Sequence, residues 1–223
     1  MNVAIAVDGP AGAGKSTISK AAAKRLGFLY IDTGAMYRAA ALYVINHGGD
    51  AAKLSDVESF LPDINIELKD GRVYLCGKDV TGEIRTPRVS VAASDIAVFP
   101  CVRNKLCALQ RKMAEKTSVI MDGRDVGTYV LPTAQVKVFL TTSAEVRAKR
   151  RLLELEEKGT PSTYDEVLKD ILYRDKNDST RKMAPLKKAD DAVELDTSNL
   201  TIDESIDALI SIYEKKIGRG ANA

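Results

Sequence analysis

Eight consecutive residues, Gly9-Pro10-Ala11-Gly12-Ala13-Gly14-Lys15-Ser16, carry the spacing G-x-x-x-x-G-K-[ST]. Glycines at these places let the backbone curl so that several N–H groups point inward at phosphate oxygens. A helix starting there adds partial positive charge. Lys15 can reach the terminal phosphates of a nucleoside triphosphate, and the Ser16 hydroxyl can hold Mg²⁺. The bland alternative is a glycine-rich turn that binds nothing. The flanks argue against it: Val3-Ala4-Ile5-Ala6-Val7 reads as a buried parallel strand, and Ser16 to Leu26 as a helix.

A second group of residues bears on what is done with the triphosphate. Arg38 follows Asp32-Thr33-Gly34-Ala35-Met36-Tyr37, just after a short strand at Phe28 to Ile31. Arg124 stands in Asp122-Gly123-Arg124-Asp125, just after the apolar Val119-Ile120-Met121. Ligands of open α/β sheets collect at the carboxyl ends of strands, so both arginines are expected in the crevice of the glycine loop. An arginine fork matches phosphate oxygens bidentately, which suggests a second anion beside the triphosphate. Asp122, ending an apolar strand, is a Mg²⁺ partner or else a cap for the next segment. Arg103 opens a helix over 101–115 with Val102, Leu106, Leu109 and Met113 as its buried stripe.

Two further arginine clusters lie downstream. Arg147, Arg150 and Arg151 are spaced to share one face of a helix and are followed by Glu154, Glu156 and Glu157. They form either a solvated, salt-bridged surface or a mobile lid that brings cations over a transferring phosphoryl group. Arg174, Asp178 and Arg181 lie on one face if their helix persists that far, and Pro185 limits it.

The elements that must position these groups alternate strand and helix. Strand 3–7, helix 15–26, strand 28–31, helix 34–46, strands 119–121 and 136–140, strand 192–195 and helix 202–217 predict a five-stranded parallel sheet covered by helices. Thr201 and Glu204 form a capping box for the last helix. One stretch breaks the pattern. Ile64, Ile66 and Leu68 alternate with polar residues, Asp70-Gly71 makes a turn, and Val73 and Leu75 alternate again. A turn at Gly77-Lys78 can add a third strand, so 53–94 is expected to be an inserted subdomain of antiparallel sheet plus helix. Residues 218–223 are the expected disordered tail.

Composition narrows the classes. The chain has 223 residues and a net charge of +2, which gives no bulk attraction to nucleic acid or membrane. No apolar run approaches the length of a membrane span, and the glycine loop begins too early for a signal peptide. Three cysteines, Cys76, Cys101 and Cys107, lack metal-ligand spacing and read as reduced packing residues of a cytoplasmic protein. The single histidine, His47, precedes Gly48 at a helix end, where a C-terminal charge is the simple reading. Zinc chemistry and a Ser-His-Asp triad have almost nothing to build on. Phosphoryl transfer to an acceptor that is itself a phosphate needs neither, because that acceptor is already ionised.

The glycine loop, together with Asp32 to Arg38, Gly82-Glu83-Ile84-Arg85-Thr86, Phe99 to Arg103, Asp122 to Thr128 and Met183-Ala184-Pro185-Leu186, closely resembles the bacterial-type cytidylate kinases of the nucleoside monophosphate kinase family. The resemblance covers nearly the whole chain, including the insert. It implies a single kinase domain over 1–223 with an acceptor-binding insert at 53–94 and a helical lid at 144–180. It implies transfer of a phosphoryl group from ATP to CMP or dCMP, with Mg²⁺, by a monomer. Carried over residue by residue, it places Gly9 to Thr17 on the ATP phosphates and Lys15, Arg38, Arg124 and Arg181 around the transferring group. Ser94, Arg103 and Asp125 would read cytosine, Arg174 and Asp178 would hold the sugar, and one of the three lid arginines would touch ATP. Ser16 and Asp122 are the expected metal pair. Thr33 stands where the family often has serine, which keeps the hydroxyl and adds a methyl. The alternatives are a kinase for UMP, dTMP, AMP or shikimate, a nucleotide-dependent switch, and an RNA-binding protein. The chain has no Asn-Lys-x-Asp motif of the kind a GTPase uses, and its charge and aromatics suit RNA poorly.

Overall fold

In the computed structural model, which describes residues 2–69, 71–157 and 159–220, short apolar strands alternate with helices. In chain order these are β1 (Ala4–Asp8), α1 (Lys15–Leu26), β2 (Leu29–Asp32), α2 (Thr33–Asn46) and α3 (Leu54–Phe60). Then come β3 (Ile66–Lys69), β4 (Arg72–Leu75), β5 (Lys78–Asp79), α4 (Pro87–Ile96) and α5 (Pro100–Ala114). The remainder is β6 (Val119–Gly123), β7 (Val136–Thr141), α6 (Ala144–Glu157), α7 (Tyr164–Thr180), β8 (Val193–Asp196) and α8 (Ile202–Gly220). The main sheet is the expected five-stranded one, in the order β2-β6-β1-β7-β8, and every pairing is parallel.

Its central strands are apolar because both faces are covered. Ile5, Val7, Ile120, Val136, Val138 and Leu140 pack with Ile18, Ala22, Ile206 and Leu209 of α1 and α8. Ala6, Ile31, Val119 and Met121 form the other face with Cys107 of α5. Register then sets the site. Asp8 pairs with Gly123, and Asp32 and Val7 both pair with Asp122, so the carboxyl ends of β1, β2 and β6 finish at one level.

The insert forms a second, antiparallel sheet in the order β3-β4-β5. Asp70 lies outside the described residues, and Gly71 takes a left-handed φ of 73° that suits the turn. The sheet packs on the main body through Met36 and Ala40 of α2 and Ile66, Val73 and Leu75 of β3 and β4, in one apolar cluster that includes Val102 and Leu106.

Some boundaries shift. Cys76 is exposed, with a left-handed φ of 49°, and is not a packing residue: it is spent on the turn between β4 and β5. Cys107 is buried, and all three thiols are free. His47 caps α2, with Nδ1 2.8 Å from the Tyr43 carbonyl and its ring stacked on Tyr43. Of the expected tail, residues 218–220 belong to α8, and 221–223 lie outside the described residues. Among the described residues no helix is long and apolar enough to cross a membrane.

Candidate active site

The glycine loop spans from β1 to α1, and its geometry requires glycine at specific places. Gly9 has φ 148°, and a Cβ there would sit 2.2 Å from the Leu140 carbonyl oxygen of β7. Gly14, the residue before α1, has φ 84°. Lys15 is buried, and its ammonium donates to the Pro10 carbonyl at 2.6 Å, across the loop. Burial and the neighbouring Arg124 hold its pKa well below the usual lysine range, against the pull of Asp122, Asp178 and Asp8.

Ser16 Oγ donates to Asp122 Oδ2 at 2.8 Å, while Tyr30 donates from β2 to Asp122 Oδ1 at 3.0 Å. Burial and Asp32 raise the Asp122 pKa to about 6, opposed by Lys15 and the two hydroxyls. Such a carboxylate gains from a cation. The donors are a serine hydroxyl and a carboxylate, hard oxygens of the kind Mg²⁺ takes. Among the described residues no cluster of three or more His, Cys, Asp or Glu could hold a metal alone. Mg²⁺ characteristically fits this case, because it is held by one or two protein oxygens plus substrate phosphates and water.

Beside the loop a cleft of about 200 Å³ is lined by Gly12 to Thr17, Arg38, Asp122, Arg124, Arg151 and Arg174. A second hollow of about 60 Å³ adjoins it, lined by Thr33, Tyr37, Ser94, Asp125, Asp178 and Arg181 among others. Arg38, Arg124 and Arg174 border both. The crevice expected from strand ends is therefore real, and its two halves meet at three guanidinium groups.

The second hollow is built from ion pairs. Arg124 Nε donates to Asp178 Oδ2 at 2.7 Å, and Arg181 Nη2 donates to Asp125 Oδ1 at 2.8 Å. Arg103 Nη2 donates to Asp125 Oδ2. Arg103 is fully buried, with Tyr37 and Tyr129 rings near its guanidinium. It lies behind Asp125 and is not a wall of the hollow. Asp178 is pushed up by burial, yet Arg124, Arg181 and Arg174 bring its pKa below the usual range. Arg174 falls to about 10 through burial and neighbouring Arg124. Ser94 Oγ is buried without a protein hydrogen-bond partner, which leaves it for a ligand. α7 stops one residue short of Arg181, whose extended backbone and Nε bond to the Ala184 carbonyl turn its side chain toward Asp125. Thr33 donates to the Asp122 carbonyl at 2.7 Å, so its hydroxyl joins the start of α2 to β6.

The three arginines of α6 do not act together. Arg147 is buried under the glycine loop, bonding the Ala11 carbonyl at 2.8 Å and Asp175 at 2.6 Å. Arg150 reaches the Thr197 carbonyl, 2.8 Å away, after β8. Arg151 alone borders the cleft. At about 100° per residue, positions 150 and 151 flank 147 on opposite sides, so a shared face becomes three directions.

Sequence reasoning passed over four participants. Asp8 is buried at the end of β1, Tyr30 holds Asp122, and Asp32 pairs with Arg38 at 3.0 Å while capping α2. Asp175 completes the Arg147 contact and accepts from Ala11 N–H at 3.3 Å. Asp8 and Asp32 each end an apolar strand, the same signal that marked Asp122.

A family model described as cytidylate kinase matches residues 5–215. A cytidylate kinase of Caldicellulosiruptor saccharolyticus is 52% identical over 221 residues, covering 96% of this chain and 96% of its own. One from Fusobacterium nucleatum is 49% identical, covering 96% and 98%. The solved structure of an uncharacterized protein from Eubacterium ventriosum aligns with a TM-score of 0.51 at 16% identity, over 96% of this chain and 99% of that one, a likeness of fold alone. A model match over almost the full length and relatives at about half identity from end to end agree with the crevice described above, and this chain belongs to the cytidylate kinase family.

Proposed function

We propose that the chain transfers the terminal phosphoryl group of ATP to CMP or dCMP, giving ADP and CDP or dCDP. Beyond family membership, one observation carries this reading. A phosphate loop and a hollow floored by the buried carboxylate of Asp125 meet at Arg38, Arg124 and Arg174. Two nucleotides laid phosphate to phosphate across that junction would place the reacting groups among three cations.

On this reading Gly9 to Thr17 and Lys15 hold the ATP phosphates, and Arg38, Arg124 and Arg181 surround the transferring group. The acceptor phosphate oxygen is already ionised, so positioning and charge stabilisation suffice and no general base is needed. Ser16 and Asp122 would hold Mg²⁺, which when bound neutralises charge building on the phosphates. Asp125 accepts from the cytosine amino group with Ser94 beside it, and Arg103 fixes Asp125 from behind. Uracil would turn a carbonyl toward that carboxylate, setting two acceptors against each other with no proton between them. Arg174 and Asp178 line the path to the sugar.

Residues 53–94 serve as the acceptor-binding insert and 144–180 as the lid, with Arg151 the lid arginine that meets ATP. The enzyme works as a monomer on small nucleotides, without nucleic acid. A cytoplasmic setting is supported by its three free thiols. The test is ADP formation with CMP, dCMP, UMP, AMP and dTMP offered separately. Turnover confined mainly to CMP and dCMP is expected. Equal turnover of UMP or AMP would discard the cytosine site, and none above the blank would discard the kinase reading.

A further inference from the structure

Asp125 can read a base only if its backbone is held, and the holder is not in its own loop. Its carbonyl accepts from Tyr129 at 2.8 Å and Val130 at 3.1 Å, closing the single wide turn Val126–Val130. Such turns are rare and are frequently found at functional sites. The next two N–H groups, of Val126 and Gly127, point back across the sheet end and donate to Asp8 Oδ1 and Oδ2, at 2.8 and 2.7 Å. Asp8 is 5% exposed. A buried carboxylate with one N–H on each oxygen is a two-point clamp, and its loss leaves two buried donors unpaired. Gly127 is tailored to the clamp: a Cβ there would lie 3.3 Å from Asp8 Oδ2 and 3.1 Å from Lys137 Cδ. Asp8 is also the residue immediately before Gly9, so one residue joins the root of the phosphate loop to the residue flooring the acceptor hollow.

We propose that Asp8 is a positioning residue for base selection: its carboxylate sets the reach of Asp125 into the acceptor hollow and ties it to the phosphate loop. The inference rests on the reading of Asp125 as the cytosine contact. Asp8 touches no substrate; it acts through the backbone of Val126 and Gly127.

The test compares Asp8→Asn, Gly127→Ala and Asp125→Asn, each checked for folding by thermal melting. Asp8→Asn keeps the volume but turns an amide donor toward a backbone N–H. Its KM for CMP should rise about tenfold and its CMP-over-UMP preference in kcat/KM should fall by a similar factor. The Kd of a non-hydrolysable ATP analogue, measured without CMP, should change less than about twofold, because the loop's N–H groups are untouched. Gly127→Ala crowds the same clamp with Asp8 intact and should shift the same two quantities in the same direction. It decides the matter alone if Asp8→Asn does not fold. Unchanged CMP KM and preference in a folded variant, or equal losses for ATP and CMP, overturn the inference. Asp125→Asn separates the two levels. If it leaves base preference untouched, the cytosine reading itself fails; if it shifts preference while Asp8→Asn does not, only the clamp fails.

Discussion

The two halves of the crevice are made in opposite ways. The phosphate-loop half is local: nine consecutive residues supply backbone donors, a lysine and a hydroxyl, held by the end of β1 and the start of α1. The Asp125 half draws on α2, α4, α5, the segment after β6, and α7, and its side chains are fixed mainly by one another: Arg103 and Arg181 on Asp125, Arg124 on Asp178. The first binds through backbone dipoles. The second is a network of buried charges, where removing one partner strands another. Damage to the first half should appear in turnover, and damage to the second in stability and base preference together.

The sharpest test of that contrast is Lys15→Ala. It should lower kcat about a thousandfold, as loss of a charge-stabilising donor does, with little change in melting temperature. A large loss of stability would place Lys15 in the scaffold. Asp125→Ala should behave in the opposite sense. Two buried guanidinium groups lose their carboxylate, so unfolding free energy should fall by about 3–5 kcal/mol and CMP preference should collapse. Denaturant titration with steady-state kinetics reads both, and a stable variant with unchanged preference would refute the network.

How much of this contrast was legible follows from it. The loop, the sheet and the Ser16–Asp122 pairing were readable, because each depends on strand-loop-helix order and on residues ending apolar strands. Arg38 and Arg124 were placed correctly for the same reason. The burial of Arg103 and its pairing with Asp125 were not legible, because a helix-opening arginine gives no sign of either. The spacing of Arg147, Arg150 and Arg151 predicts one face, yet Arg147 forms part of the floor of the phosphate loop, because Asp175 on α7 stands opposite it.

Asp8 gives a test in pH. Burial lifts its pKa from 3.8 to about 6, against the two N–H donors. A raised carboxyl pKa means the native state holds the proton more tightly than the unfolded chain, so this contribution favours folding below about pH 4 and is lost as pH rises to about 6. Wild type should therefore lose up to about 3 kcal/mol relative to Asp8→Asn between pH 4 and 6.5. Parallel stability curves over that window would show that Asp8 does not titrate there.

The smallest effects sharpen the lid assignment. Arg147→Ala should cost about 2 kcal/mol of stability and weaken ATP binding a few-fold, by loosening Ala11. Arg151→Ala, with a partly exposed side chain paired to the more exposed Glu154, should leave stability within about 0.5 kcal/mol and raise only the KM for ATP. Equal stability losses would mean that α6 presents one face after all.

By itself the sequence determined what is local and periodic: the alternating elements, the phosphate loop, and carboxylates and arginines set just after strands. Backbone geometry and amphipathic period act over a few residues, so a linear chain carries them openly. Tertiary structure alone decided the partners across the sheet end: Asp8 with Val126 and Gly127, Arg103 with Asp125, Arg147 with Ala11 and Asp175. Those contacts join residues 22 to 136 positions apart. Which buried charge finds which partner is settled only when register and helix packing bring the ends of separate elements within hydrogen-bond reach.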